Sequence, residues 1–119
     1  SIYNAIDLDD EEFEEGKMLT IFHKKRARNK KLVKMKKSTV LNITGKLLCE
    51  ICGFDFEAKY GELGKGYIEC HHNKPISSLN ENETIKLSDL SILCSNCHRM
   101  IHRIRPWKSV LEMKEIINL

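Results

Sequence analysis

Two Cys-x-x-Cys pairs constrain the fold of this chain more than any other feature. Cys49 and Cys52 form the first pair, and Cys94 and Cys97 form the second pair. A Cys-x-x-Cys turn presents two thiolates on one side of a tight loop, and two such turns supply the tetrahedral four-sulfur shell of structural zinc. Because the pairs lie further apart than the roughly 15–20 residues of a simple zinc ribbon, zinc here would join the two ends of a long insertion.

Length and cysteine usage limit the class of protein. With 119 residues, the chain suits one domain with a modest core, which a bound metal would help to stabilise. Its apolar runs are too short to cross a membrane, and no signal-peptide pattern opens the chain. Thiols that bind zinc fit a reducing compartment, so we expect a cytoplasmic protein with no membrane partner. The alternatives for the cysteines are two unrelated thiol pairs or a redox dithiol.

Charge is segregated at the start of the chain. Residues 1–16 contain seven acidic residues and no base, whereas residues 17–37 contain ten bases and no acid. Without the acidic segment the net charge rises from +3 to +10, which would attract a phosphate-rich partner. Residues 17–37 are expected to form a basic helix, which is either a solvated face or a surface that contacts phosphate. Its candidate DNA-contacting residues are Lys24, Lys25, Arg26 and Arg28.

The middle of the chain predicts strands that lead into a helix. Residues 67–71 have strand character, and an apolar run at 87–93 leads into the second cysteine pair. A helix is predicted to begin at or just after Cys97 and to reach Ile104. Pro106 limits this helix, because a proline disfavours helical geometry at the residue before it.

The C-terminal residues predict a last helix at 110–117. Ser109, three residues before Glu112, has the spacing of a capping box that would start this helix. Together the predicted elements indicate a small α+β protein with one structural domain. We expect an acidic segment at 1–16, a basic helix and linker at 17–46, and a metal-stabilised domain at 47–119.

Four of the five histidines lie close to the cysteines. His98 and His102 are four residues apart on the predicted helix, so both imidazoles share one face. His71 and His72 are neighbours on a predicted strand, where adjacent side chains point to opposite faces. One of these two can complete a three-histidine metal site while the other acts as a base. Cys70, the remaining cysteine, is expected to be a small buried apolar residue.

Three segments combine into one longer pattern. They are Cys-x-x-Cys-Gly at 49–53, Tyr-Ile-Glu-Cys-His-His-x-x-Pro at 67–75, and Asp-Leu-x-x-Leu-Cys-x-x-Cys-His-x-x-x-His at 89–102. The pattern resembles the HNH endonuclease family, the ββα-metal nucleases, and is most similar to the zinc-knuckle branch that includes McrA-type restriction nucleases. The resemblance covers about residues 47–106 and implies a small ββα-metal core closed by the four-cysteine zinc site. The basic helix and the short C-terminal helix predicted above would flank this core.

The resemblance also implies a role for each histidine. His71, His98 and His102 would bind the catalytic divalent ion, for which Mg, Mn, Ni and Zn are the candidates, and His72 would be the general base. Asp89 stands where the family has its central Asn, which holds the loop and the base in place through backbone hydrogen bonds. An ionised Asp accepts such bonds but cannot donate them as Asn does.

The implied activity is metal-dependent hydrolysis of DNA phosphodiester bonds by a restriction-type nuclease. The helix that carries His98 and His102 is flanked by three arginines, Arg99, Arg103 and Arg105. They are candidates for binding neighbouring phosphates, and the alternative is that they form a solvated helix face. Backbone contacts would dominate DNA binding, so this module need not read sequence. A homodimer or a separate recognition subunit are the partners to consider besides DNA.

Three rival interpretations remain at the level of sequence. A non-catalytic zinc module that binds nucleic acid explains the cysteines and the basic helix, but not the four histidines together. A thiol redox protein would need no histidines, and it predicts a thioredoxin-like βαβ pattern that the sequence does not show. The third interpretation is that the substrate is RNA and not DNA.

Overall fold

The computed structural model describes the backbone of residues 17–73 and 85–118, and the side chains of 29–73 and 85–118. The predicted acidic segment 1–16 lies outside the described residues. The described residues form a small mixed arrangement of helices and strands. In chain order these are α1 (Lys17–Thr44), α2 (Phe56–Tyr60), β1 (Glu69–His72), β2 (Leu90–Leu93), α3 (Ser95–Ile101) and α4 (Val110–Ile117), with 3-10 turns at Gly61–Gly64 and Leu87–Asp89.

Helix α1 continues past residue 37, where the sequence analysis ended it, and reaches Thr44. Val33 and Val40 pack against a group of buried residues that we call the α1-facing cluster. This burial gives the second half of the helix a core contact, which offsets the low helix propensity of its β-branched residues. Gly45 then ends the helix with a φ of 78°, and its N–H donates to the Leu41 carbonyl at 2.9 Å. The α1-facing cluster consists of Leu47, Ile68, Cys70 and Ile92.

The first cysteine pair lies in a tight turn that follows α1. The Gly53 N–H donates to the Cys49 carbonyl at 2.9 Å, and the Cys49 N–H donates to the Phe54 carbonyl at 3.0 Å. Glu50 connects this turn to β2 through two hydrogen bonds with Ile92. The Glu50 N–H donates to the Ile92 carbonyl at 2.9 Å, and the Glu50 carboxylate accepts the Ile92 N–H at 2.8 Å. The turn is therefore held against the sheet.

Strands β1 and β2 form a two-stranded antiparallel sheet with Glu69 opposite Leu93. Successive side chains of a strand point to opposite faces, so Glu69 and His71 share one face of β1. Cys70 and His72 share the other face. Cys70 lies in the α1-facing cluster, which confirms the prediction of a buried apolar residue, and burial raises the pKa of its thiol to about 11.

Helix α3 begins two residues earlier than the sequence predicts. We expected the helix to begin at or just after Cys97, but it spans Ser95–Ile101. Cys94 is the N-cap residue, and its Sγ accepts the Cys97 N–H at 3.4 Å. The sulfur thus does what an oxygen of Ser or Asp usually does at a helix start.

The prediction that this helix reaches Ile104 was wrong. The helix ends at Ile101, and His102 is the C-cap residue. The Arg105 guanidinium donates to the carbonyls of His102 and Ile104, at 2.8 and 2.9 Å. The first of these bonds satisfies the carbonyl of the C-cap residue, and the second satisfies a carbonyl in the turn that follows the helix. The helix therefore ends well before Pro106, and the proline does not set its limit.

Helix α4 confirms the predicted capping box. The Ser109 Oγ accepts the Glu112 N–H at 3.1 Å, and the Glu112 carboxylate accepts the Ser109 N–H at 2.9 Å. Met113 is buried on the inner side of α4 and belongs to a second group, the cysteine cluster. Helix α4 therefore packs beside the cysteine pairs. The cysteine cluster consists of Cys49, Ile51, Leu93, Cys94, Cys97, Ile101 and Met113.

None of the helices in the described part of the chain has the length and apolarity that a membrane crossing requires. The division into segments at 1–16, 17–46 and 47–119 stays a prediction. Because α1 packs on residues from both strands, the basic helix is anchored to the part of the chain that carries the cysteines and histidines.

Candidate metal centres and active site

The two cysteine pairs meet, as their spacing predicts. The sulfurs of Cys49, Cys52, Cys94 and Cys97 all lie within 4.8 Å of one another. The distance between the Cys52 and Cys94 sulfurs is 3.7 Å. Four sulfurs bound tetrahedrally to zinc at about 2.3 Å would be about 3.8 Å apart. The four cysteines therefore have the spacing that a structural zinc site requires.

Hydrogen bonds to the sulfurs suit thiolates. The N–H groups of Ile51 and Cys52 donate to the Cys49 Sγ at 3.4 and 3.5 Å. Burial opposes ionisation of Cys49, but these bonds outweigh burial and lower the pKa of its thiol. Burial raises the pKa of both Cys94 and Cys97. Several thiolates this close together need a cation to stabilise them, and a divalent ion would deprotonate all four thiols. The donor set fits zinc.

A second group of metal-binding side chains consists of His71, His98 and His102. Their donor nitrogens also lie within 4.8 Å of one another. His71 comes from β1, while His98 lies on α3 and His102 caps that helix. The ring centroids are 5.5 Å apart for His71 and His98, and 5.3 Å apart for His71 and His102. The centroids of His98 and His102 are 5.0 Å apart, as their separation of one helical turn predicts.

Burial keeps the imidazoles of His71 and His102 neutral. His71 is only 1% exposed, and neither of its ring nitrogens has a hydrogen-bond partner among the described residues. Burial lowers the pKa of His71 to about 3 and that of His102 to about 4. A buried polar nitrogen without a partner costs stability, and a metal bond would satisfy it. Since neutral imidazole is the form that binds metals, the three histidines fit a divalent ion.

Glu69 is a site residue that the sequence analysis missed. Its Oε1 lies 2.8 Å from the Nδ1 of His98, and its Oε2 accepts the hydroxyl groups of Tyr67 and Ser95, each at 2.9 Å. Burial raises the pKa of Glu69, but these hydrogen bonds outweigh burial and hold it below its ordinary value. An ionised carboxylate at Nδ1 orients the His98 ring so that Nε2 is the nitrogen available to a metal. The sequence could have indicated Glu69, because side chains alternate along a strand and Glu69, two residues before His71, lies on the same face.

His72 lies apart from the three-histidine group. It is 7% exposed and projects from the opposite face of β1 to its neighbour His71. Burial lowers the pKa of His72 to about 4, and the charge of His98 acts in the same direction. Its imidazole is therefore neutral near pH 7, which is the form that can accept a proton.

Asp89 connects the beginning of β2 to the end of β1. Its Oδ2 accepts the Lys86 N–H at 3.0 Å, which closes the 3-10 turn before β2. Its backbone carbonyl accepts the N–H of Asn73, the residue after His72, at 2.8 Å. This second contact uses the main chain alone. Holding the segment after His72 therefore does not require Asn at position 89.

The candidate DNA-contacting residues differ in their surroundings. Arg99 and Arg103 are exposed near the histidines of α3, whereas Arg105 binds the backbone carbonyls at the end of that helix. Lys30, Lys31 and Lys34 are exposed on α1. The remaining candidates on α1 have side chains outside the described residues: Lys24, Lys25, Arg26 and Arg28.

Comparison with known proteins agrees with this geometry. Residues 49–103 match the family model of HNH endonucleases. A curated relative, the type IV methyl-directed restriction enzyme EcoKMcrA of Escherichia coli (strain K12), is 36% identical over 66 residues. The aligned region covers 56% of this chain but only 22% of that enzyme. No solved structure gives a significant match.

The matched range begins at Cys49 and ends one residue after His102. It contains both groups of metal-binding side chains, together with Glu69, His72 and Asp89. Residues 49–103 are therefore similar to the HNH endonucleases, and 66 residues of this chain are similar to part of a McrA restriction enzyme.

Proposed function

We propose that this chain is a metal-dependent endonuclease of restriction type that hydrolyses DNA phosphodiester bonds. The observation that carries this proposal is the meeting of three imidazoles, the buried one of His71 on β1 and the partly exposed ones of His98 and His102 at α3, in a group that does not include His72. A module that only bound nucleic acid would need the four cysteines but not these histidines. In this proposal β1, β2 and α3 are the ββα-metal core, and the four cysteines hold structural zinc.

His72 is the proposed general base. Its neutral imidazole would take a proton from the water that attacks the phosphate, while Asp89 holds the segment that follows His72. His71, His98 and His102 are the proposed ligands of the catalytic ion, and Glu69 orients His98. A divalent ion bound there would stabilise negative charge on the phosphate and on the leaving 3′ oxygen. The resemblance to the family implies products with 5′-phosphate and 3′-hydroxyl ends.

The choice of metal follows from the donor set. Three imidazoles accept Zn, Ni, Co or Mn, and supply within the cell rather than affinity decides among them. Mg binds imidazole poorly but becomes usable when phosphate oxygens share its shell. We therefore propose that the catalytic ion is Mg, Mn, Ni or Zn, and that only the four-cysteine site requires zinc.

DNA binding is proposed to depend on the phosphate backbone. Arg99 and Arg103 are exposed beside the three-histidine group, and the exposed lysines of α1 extend the positive surface. Contacts of this kind position a protein on DNA without reading its sequence.

A second copy of the chain would allow double-strand cleavage, and a separate subunit would supply recognition. The cysteines, which form no disulfides in the described residues, suit the reducing cytoplasm.

Plasmid nicking tests the proposal. Purified chain is incubated with supercoiled plasmid and Mn²⁺ or Mg²⁺, beside His72→Ala protein whose zinc content has been verified. A general base contributes about 100- to 10,000-fold to rate, so we expect nicking by the variant to fall by at least 100-fold. His23→Ala is the matched control, because this histidine lies on α1 and outside the family pattern, and it should nick like the parent.

The outcomes separate the candidate functions. No nicking by the parent, or equal nicking by the His72→Ala variant, would overturn the proposed mechanism. DNA binding without cleavage by both proteins would favour the non-catalytic module. Cleavage of RNA in place of DNA would retain the chemistry and change the substrate.

A further inference from the structure

Trp107 lies beside the three-histidine group, in the segment between α3 and α4. Its ring is nearly parallel to that of His71, with an interplanar angle of 19° and a centroid distance of 6.4 Å. His71 is buried, whereas Trp107 is 40% exposed. Two fifths of Trp107 is therefore accessible to solvent although its ring lies beside a buried histidine. The protein thus presents part of an indole ring to solvent next to the proposed catalytic centre.

The chain around Trp107 is positively charged. Residues 94–111 contain Arg99, Arg103, Arg105 and Lys108 but no acidic residue, so this stretch carries a charge of +4. Arg99, Arg103 and Arg105 are exposed. An exposed aromatic ring among cations is the combination that binds single-stranded nucleic acid, because the ring stacks on a base while the cations contact phosphates. An apolar protein partner would gain nothing from these charges.

We propose that Trp107 stacks on an unpaired DNA base next to the phosphate that is cut. In an intact duplex both faces of a base are covered by its neighbours, so the indole can stack only where a base has lost one of them. The favoured substrate is therefore single-stranded or locally opened DNA. This inference rests on the proposed nuclease function for the position of the phosphate, while the stacking contact itself does not require cleavage.

The fluorescence of Trp107 gives a direct test, because this is the only tryptophan in the chain. The zinc-loaded protein is titrated with a thymine oligonucleotide of about 12 nucleotides, within the usual site size for single strands. The same strand paired with its complement is titrated in parallel. Metal content is held constant, so that any change in emission arises from DNA. We expect saturable quenching by the single strand, and weaker quenching by the duplex.

Variants at Trp107 separate stacking from general packing. Loss of a stacked base costs about 1–3 kcal/mol, so Trp107→Ala should weaken single-strand binding by about 5- to 150-fold, measured by anisotropy of a labelled strand. Trp107→Phe retains a ring and should bind within a few-fold of the parent. Tyr60→Ala is the matched control, since Tyr60 is an exposed aromatic residue that stacks on Phe56 and not on the histidines, and its loss should leave binding unchanged.

The results distinguish this inference from the nuclease proposal. Unchanged Trp107 emission when the labelled strand is fully bound would overturn stacking, even if the parent nicks plasmid. Equal single-strand affinity of Trp107→Ala and parent would also overturn it. Quenching and binding without any nicking would support stacking and contradict the nuclease. If Trp107→Ala fails to fold, the emission of the parent protein still decides the question.

Discussion

The Glu69 carboxylate forms hydrogen bonds with three side chains, one from the segment before β1 and two from α3. Tyr67 lies before β1, Ser95 is the first residue of α3, and His98 is one turn further along that helix. The carboxylate therefore fixes the His98 ring relative to both the strand and the start of the helix. A small change in this one residue should affect metal binding before it affects folding.

Replacing Glu69 by Gln tests this role. Gln keeps the size of the side chain and an oxygen acceptor but loses the charge that strengthens the bond to His98. Loss of such an orienting partner typically costs 10- to 100-fold in metal affinity, so we expect about a tenfold loss at the three-histidine site. Calorimetric titration with Zn²⁺, after the four-cysteine site has been filled, measures it. Glu62→Gln is the control, because this exposed residue pairs with Lys65 at the surface; an equal loss there would contradict the prediction.

The sequence predicts best the contacts between residues that are close to each other along the chain. His98 and His102 meet because one helical turn separates them, and each cysteine pair meets within its own turn. Glu69 could not be predicted in the same way. Its partner His98 is 29 residues away, and the contact exists only because β1 pairs with β2 and β2 leads directly into α3. Trp107 likewise reaches His71 from a loop 36 residues further along the chain.

At the scale of elements, α4 depends on its first residue. The Ser109 hydroxyl satisfies one of the N–H groups that a helix start leaves without a partner. Ser109→Ala should lower the free energy of unfolding by about 1 kcal/mol, measured by urea denaturation of the zinc-loaded protein. Ser109→Asp keeps an acceptor oxygen and should retain most of the stability. Equal stability of the Ala variant and the parent would show that α4 is held by packing alone.

Helix α1 provides the second prediction at this scale. If its exposed lysines contact phosphates, replacing Lys30, Lys31 and Lys34 together by Gln should weaken duplex binding. The slope of log affinity against log salt should fall by about 0.9 for each lysine that contacts a phosphate. The control replaces three exposed lysines elsewhere, Lys59, Lys65 and Lys114, and has the same net charge. Equal effects of the two triple variants would indicate a general charge effect and no binding by α1.

Helix ends show where sequence reasoning about elements succeeds and fails. The capping box of α4 involves only neighbouring residues, and its prediction was confirmed. The start of α3 was predicted two residues late, because sequence preferences do not indicate that a cysteine sulfur will serve as the N-cap. The extent of α1 was underestimated because the packing of Val40 on the α1-facing cluster is a tertiary contact.

For the whole molecule, zinc at the four cysteines should decide whether the chain folds. Structural zinc contributes about 10–16 kcal/mol in small domains, whereas the net stability of a domain is about 5–15 kcal/mol. Removal by a strong chelator should therefore unfold the cysteine cluster, seen as loss of cooperative unfolding by circular dichroism. Cys94→Ser should behave like the chelated parent.

Loss of the metal from the three-histidine site should leave the chain folded. His102→Ala should reduce bound metal by one equivalent in elemental analysis and leave the cooperative transition in place, because the cysteines still hold zinc. A chelated parent that unfolds as cooperatively as the zinc-loaded protein would contradict the structural role. Similar unfolding of His102→Ala and Cys94→Ser would show that the two metal sites do not have separate tasks.

The register of β1 has a consequence for how this chain can vary. The strand is only four residues long, and its side chains alternate between the face of Glu69 and His71 and the face of Cys70 and His72. Inserting or deleting one residue here would exchange the two faces, so that the proposed ligand and the proposed base trade places while the composition of the strand hardly changes. A change of length outside the strand does not exchange its two faces in this way. Within β1, a single added residue would therefore be more damaging than most substitutions.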